Sequence, residues 1–252
     1  MRHLILIAML TFASSSHAAD ALPVEFPTAD GITVRGDAQG DGAHGVLLLH
    51  DEGGSAADWA EFSGHLSQAG FRVLSVDLRG HGRTGGAAPN EEDWVKMTSE
   101  VKAGIAWLRS KGATQVTLVG ARIGGSLALQ VASADPAISG VAVLSPVLSA
   151  HGVKLGGALA GLASRPTLFV ASREDVASLR AIDTIRSVVP SVGVAPPVES
   201  GAGAGLLSRA ANLETDLINW VRGTQATAAE SGTREAGATT DIETTGIRFG
   251  QN

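Results

Sequence analysis

The residues of this chain best suited to chemistry cluster in four short segments, each beside the end of an apolar run. Residues 116–125 read Val-Thr-Leu-Val-Gly-Ala-Arg-Ile-Gly-Gly, a strand that passes through a tight turn of small residues into a helix, with Arg122 at the turn. Residues 50–53 read His-Asp-Glu-Gly, Asp175 follows the run 166–171, and residues 201–205 read Gly-Ala-Gly-Ala-Gly. A guanidinium stays protonated and has no free lone pair, so Arg122 cannot attack a carbonyl. At a helix start, beside amides with no intrahelical partner, it suits a carboxylate or phosphate unless Asp51 and Glu52 neutralise it first. A solvated Arg122 with no ligand is the competing reading. His50, His81 and His151 lie in loops near strand ends, and any of them could serve as a general base only with a Ser, Thr or carboxylate in hydrogen-bond reach.

These segments need a scaffold, and the chain supplies an alternating one. Residues 22–27 and 32–35 flank Asp30-Gly31 and predict an edge hairpin. Short runs rich in Val and Leu follow at 45–50, 72–77, 115–119, 138–144 and 166–171, each bounded by turn residues, as strands buried on both faces should be. Helical stretches are expected between them at 56–69, 91–111, 122–133 and 176–189, with a last helix at 206–221. Strands alternating with helices imply an α/β fold with a mainly parallel sheet and helices on both faces. Trp94, Met97, Val101, Ile105 and Leu108 recur at three and four residues, a buried stripe of core. Only about twenty residues separate Leu144 from Pro166, too few for a large lid domain, so an open or shallow site is expected.

Composition bounds the rest. The chain has 252 residues, enough for one sizeable domain, and 17% charged residues against 44% hydrophobic ones exclude wholesale disorder. A net charge of -6 and no Lys/Arg run argue against nucleic-acid binding. Arg2 and His3 precede the apolar run 4–13, and Ser16-His17-Ala18 forms a cleavage-type triplet, so residues 1–19 are expected to be a signal peptide. The run is shorter than the ~20 residues a span requires, and no stable membrane insertion is expected after cleavage. With no cysteine there are no disulfides, and an exported, periplasmic or secreted protein of a bacterium is the expectation. The folded domain should cover residues 20–222, and residues 223–252, rich in Thr, Ala, Gly, Glu and Ser, should form a flexible tail in which only Ile242, Ile247 and Phe249 could dock. No Walker loop, dinucleotide fingerprint or metal-ligand spacing is present, so no cofactor and no metal are expected.

The strand-turn-helix segment resembles the nucleophile elbow of α/β-hydrolases, G-x-S-x-G, with Gly120, Ala121, Ile123 and Gly124 around Arg122 in the serine's place. Residues 47–55, with His50, Asp51, Glu52 and Gly53, look like the family's oxyanion loop; residues 77–82 look like the loop after the next strand; and 169–175 look like the acid-bearing loop. Four such segments in family order resemble a small, capless member of the esterase and dienelactone-hydrolase kind. The resemblance implies that Asp175 keeps the acid position and that Ala204 occupies the histidine's place. It also implies that His50 and His81 shape loops, and that Asp77 and Arg79 pair to brace theirs. His151 lies outside every motif and reads as a surface residue, and Ser126, inside the helix, is a poor replacement nucleophile.

Function does not follow from fold, so the site must carry it. Acyl transfer needs a nucleophile, a base, an orienting acid and oxyanion donors, and by resemblance the first two are missing while two carboxylates flank a place meant to hold negative charge. The expectation is a non-catalytic pseudo-hydrolase in which Arg122 pairs with Asp175, Asp51 or Glu52, and which binds a small anionic ligand or a protein. The alternative is an esterase acting on small esters or lactones through a rearranged site. The sequence leaves the oligomeric state open.

Overall fold

The computed structural model describes residues 20–234; the expected signal peptide at 1–19 and residues 235–252, with Ile242, Ile247 and Phe249, lie outside the described residues. The chain runs β1 (Leu22–Pro27), β2 (Thr33–Gln39), β3 (His44–Leu49), α1 (Ala60–Gln68), β4 (Arg72–Asp77), α2 (Glu91–Lys96), α3 (Thr98–Ser110), β5 (Gln115–Ala121) and α4 (Arg122–Ala134). It continues through β6 (Ile138–Leu144), a small hairpin β7 (Ser149–Ala150) and β8 (Val153–Lys154), then β9 (Thr167–Val170), α5 (Val176–Val188), β10 (Gly193–Val194) and α6 (Leu213–Arg234). Eight strands form one sheet in the order β1-β2-β4-β3-β5-β6-β9-β10. β1 and β2 pair antiparallel at one edge, β2 pairs antiparallel with β4, and the strands from β4 to β10 are parallel. This is the α/β-hydrolase architecture.

Alternation along the central strands builds the two halves of the core. Leu47 and Leu49 of β3 face a cluster with Val101 and Ile105 of α3, Leu127 of α4 and Ile182 of α5. Val46 and Leu48 face the opposite cluster, with Phe62 of α1 and Leu217 and Val221 of α6. Every residue of β3 and β6 is buried, as expected for strands covered on both sides.

Three boundaries differ from expectation. β2 runs on to Gln39 because it pairs along Val73–Asp77 of β4, a neighbour chosen by the fold. The helix expected over 91–111 divides at Met97: an Asn90–Asp93 capping box starts α2, and α3 begins again at Thr98. The final helix starts at Leu213, after a 3₁₀ stretch Gly203–Arg209, and continues to Arg234, past the boundary expected at Arg222. Thr224 explains the extension. It is buried, its methyl faces Gly140, and its Oγ1 lies 3.0 Å from Thr117 Oγ1 in β5.

Candidate functional site

The turn from β5 into α4 lies at the carboxyl end of the central strands. Arg122 has φ 44°, the left-handed region that costs a non-glycine residue of order 1 kcal/mol. The strain is held because the turn is packed from all sides by backbone. A Cβ on Gly120 would lie 2.5 Å from Gly125 N, and one on Gly124 would lie 2.3 Å from the carbonyl oxygen of His50. Small residues are therefore obligatory on both sides of Arg122, which is the geometry that exposes a residue above the sheet in a nucleophile elbow.

Here the residue at the apex is a half-buried cation held by carboxylates from two loops. Arg122 Nε lies 3.0 Å from Asp51 Oδ2 and Nη1 lies 3.4 Å from Asp175 Oδ2. Asp175 is largely committed already: it is the N-cap of α5, accepting Ser178 N–H at 3.0 Å and the Ser178 hydroxyl at 2.8 Å. Burial pushes the Asp51 carboxyl above its ordinary range, against the opposing pull of the Glu52 amide, the Arg122 guanidinium and the Ile123 amide. Glu52 is not an Arg122 partner; its Oε2 lies 2.7 Å from His151 Nε2.

His50 is a fixed strut. Its Nδ1 lies 2.6 Å from the Asp51 carbonyl and its Nε2 accepts the Leu78 amide at 3.0 Å, so both ring nitrogens are used and Nδ1 carries the proton. Burial lowers its pKa, which keeps it neutral. The same Asp51 carbonyl accepts Gly54 N–H at 3.0 Å, and Gly53, at φ 72°, makes the turn between them. The rings of His50, His81, Trp94 and His151 follow one another at 5.0 to 5.3 Å, with His151 stacked on Trp94 at an interplanar angle of 19°. His151 is exposed, as expected, but not isolated: the β7–β8 turn folds back over α2 and stacks its ring on Trp94.

The loop 201–205 lies beside the elbow, anchored by Gly203 N–H donating to Ser145 Oγ at 3.0 Å and by the Ser172 hydroxyl donating to the Gly201 carbonyl at 2.7 Å. Ala204 and Gly203 both line the cleft, and a Cβ on Gly203 would sit 3.9 Å from Arg122 Cδ. Gly203 and Ser145 were not foreseeable from composition or period, because their roles come from a loop closing over distant strand ends. The expected Asp77–Arg79 brace is replaced by two separate networks. Asp77 accepts the Ala56 amide and pairs with Arg83, while Arg79 pairs with the fully buried Glu100 and with Asp30. Glu100 comes from α3, which packs under this loop and captures the guanidinium first.

Beside this turn, on the far side of Gly203, lies an open cleft of about 640 Å³ that carries Asp51, Glu52, Asp58, Glu61 and Glu214 along its walls. Among the described residues no group of three or more His, Cys, Asp or Glu side chains is arranged to hold a metal ion. The model of the serine aminopeptidase S33 family matches residues 42–191, more than half of the chain. The chain belongs to that family. Among curated proteins it is 33% identical over 107 residues to protein phosphatase methylesterase 1 of Mus musculus, covering 40% of this chain and 27% of that protein. It is 32% identical over 130 residues to the dihydrolipoyllysine-residue acetyltransferase component of the acetoin cleaving system of Cupriavidus necator, covering 50% and 33%. The chain thus spans only about a third or less of the length of these relatives. Among solved structures, a Pyrococcus furiosus esterase matches with a TM-score of 0.67 at 16% identity over 86% of this chain and 95% of that one. An Exiguobacterium antarcticum esterase matches at 0.65 and 17% over 80% and 100%. At such identities these two matches establish the shared fold. The tight turn with Arg122 at its apex lies within the matched span.

Proposed function

We propose that this protein is a non-catalytic member of its family, a pseudo-hydrolase that binds a small molecule or a protein partner without turning over an ester. The observation that carries this reading is Arg122 at the strained apex of the elbow, with its guanidinium tied to Asp51 and Asp175. The histidines of the described residues support it, because each is engaged away from Arg122. His44 contacts Thr117, His50 bridges Asp51 and Leu78, His65 contacts Glu214, His81 contacts the Arg79 carbonyl and His151 contacts Glu52. The five carboxylates that line the neighbouring cleft disfavour an anionic ligand there at neutral pH. The expected signal peptide supports placing the mature protein in the periplasm or outside the cell.

A second reading rests on His151 and Glu52. A histidine within 2.7 Å of a carboxylate that lines the cleft is the arrangement a rearranged esterase would need, with water as the nucleophile. One assay separates the two: hydrolysis of a short-chain activated ester by the mature protein beside His151→Ala, Glu52→Gln and a denatured control. Turnover equal to the denatured control supports the pseudo-hydrolase; turnover that disappears in His151→Ala and Glu52→Gln overturns it in favour of the dyad.

A further inference from the structure

The short hairpin after β6 reaches well across the sheet. In the sheet order β5 and β3 separate β6 from β4. Yet the hairpin's tip meets α2, which follows β4, and Glu52, in the loop that follows β3. His151 stacks on Trp94 of α2 at 5.3 Å, its Nε2 lies 2.7 Å from Glu52 Oε2, and a Cβ on Gly152 would lie 3.5 Å from Val95 Cγ2. Between β6 and these partners lies the end of β5, which carries the Arg122 turn. The root of the hairpin is tied to the same turn, since Ser126 Oγ lies 3.1 Å from the Val147 carbonyl oxygen and 3.4 Å from that of Arg122.

Root and tip are held differently. Val153 and Leu155 are buried in the core, Leu155 N–H donates to the Leu148 carbonyl at 3.0 Å, and Gln130 Nε2 donates to the Lys154 carbonyl at 2.9 Å. Among the described residues, the His151–Glu52 contact is the one hydrogen bond that joins residues 149–154 to α2 or to the 50–54 loop. The connection between β7 and β8 is a two-residue turn, with His151 at φ 46° and Gly152 at φ 77°. Asparagine or glycine serves the first position of such a turn better; what histidine supplies there is a ring that reaches α2 and the 50–54 loop. Glu52 stands next to Asp51, whose carboxylate lies 3.0 Å from Arg122 Nε, so the tip also pins the loop that holds Arg122.

We infer that the β7–β8 hairpin is a gating strap: through His151 its tip clasps α2 and the 50–54 loop across the Arg122 turn, and release of the clasp opens access to Arg122. The root stays seated in the core while the tip and the 50–54 loop part. Trp94, buried and braced edge-on by His81, gives the clasp a fixed floor. The inference rests on the reading that the site is non-catalytic, since it gives His151 and Glu52 a holding role.

The test measures how fast phenylglyoxal modifies Arg122, followed by peptide mass spectrometry, in the wild type and in His151→Asn. Asparagine suits the left-handed turn, so this variant removes the ring without straining the hairpin. Losing one aromatic contact and one hydrogen bond to a carboxylate should raise the Arg122 rate roughly fivefold. A reversible lock supplies the second arm, because the chain has no cysteine of its own and a Cβ on Gly152 would lie 3.7 Å from Glu91 Cβ, the spacing of a disulfide. In the His151→Asn background, Gly152→Cys with Glu91→Cys should return the rate to the wild-type value when oxidised and restore the fast rate when reduced. The reduced form carries any strain of the new side chains and is the control. Equal rates in the wild type and His151→Asn, or a fast rate that the oxidised pair does not slow, overturns the strap. Ester hydrolysis by the wild type that His151→Asn abolishes would overturn the non-catalytic reading, and the Arg122 rates would still decide whether the tip is a clasp.

Discussion

His44 should make this fold acid-sensitive in a calculable way. The imidazole is buried at the start of β3, with Nε2 2.8 Å from Thr117 Oγ1, its edge against Phe71 at 5.2 Å, and Nδ1 buried without a partner. A second proton would place a charge there with no acceptor, and burial pushes the pKa down from 6.5 to about 4. Above 6.5 both folded and unfolded states are neutral at this residue and it adds no pH dependence. As the pH falls from 6.5 toward 4 the unfolded chain takes up a proton that the folded chain refuses, so stability is lost across that window and levels off below it. The full shift corresponds to about 3 kcal/mol, of which about 2 kcal/mol should be lost between pH 7 and pH 5. Burial lowers His50 in the same direction, so its loss adds to that of His44. Urea denaturation at the two pH values should show the midpoint falling by about 1 M, given a slope of roughly 2 kcal/mol/M. His44→Gln keeps a nitrogen near Thr117, gives up ring packing at every pH, and should remove most of the difference. An equal pH 7 to pH 5 loss in the wild type and in His44→Gln would refute the reasoning.

Gly124→Ala should destabilise the fold by about 2–3 kcal/mol in denaturant titration, because its Cβ would fall 2.3 Å from the His50 carbonyl oxygen and backbone must move. Arg79→Ala should cost about 3–5 kcal/mol at pH 7, since it leaves the fully buried Glu100 without its cation; Arg79→Ala with Glu100→Gln should recover part of the loss in the same titration. Arg122→Ser with Ala204→His should give ester hydrolysis above the denatured control while neither single variant does. Greater activity from Arg122→Ser with Gly203→His would instead move the histidine position to Gly203, whose Cβ would lie 3.9 Å from Arg122 Cδ.

Much of the fold was legible because buried parallel strands leave an unmistakable trace: continuous runs such as 138–144, bounded by turn residues, become β6 with every side chain buried. The elbow was legible for a related reason. Only small residues fit around Arg122, and Gly120 and Gly124 announce a close backbone approach before the approaching groups are known. The end of α6 was not, because Thr224 carries no apolar signal and its burial depends on Thr117 and Gly140, more than eighty residues away in sequence. The partners of Arg79 were hidden similarly, since Asp77 is closer in sequence but Glu100 is brought beneath the loop by α3.

For the site, the sequence by itself determined which groups are available: a permanent cation at the elbow, no imidazole in the glycine-alternating loop, and carboxylates at 51, 52 and 175. Those are matters of residue type, and no folding can supply a lone pair to a guanidinium. Tertiary structure alone decided who pairs with whom. Asp51 and Asp175 reach Arg122 because two loops from different strand ends converge on the start of α4, whereas Glu52, one residue from Asp51, pairs with His151. Ion pairing at hydrogen-bond distances depends on positions within a few tenths of an ångström, and only the packed sheet and helices hold side chains so remote in sequence to that tolerance.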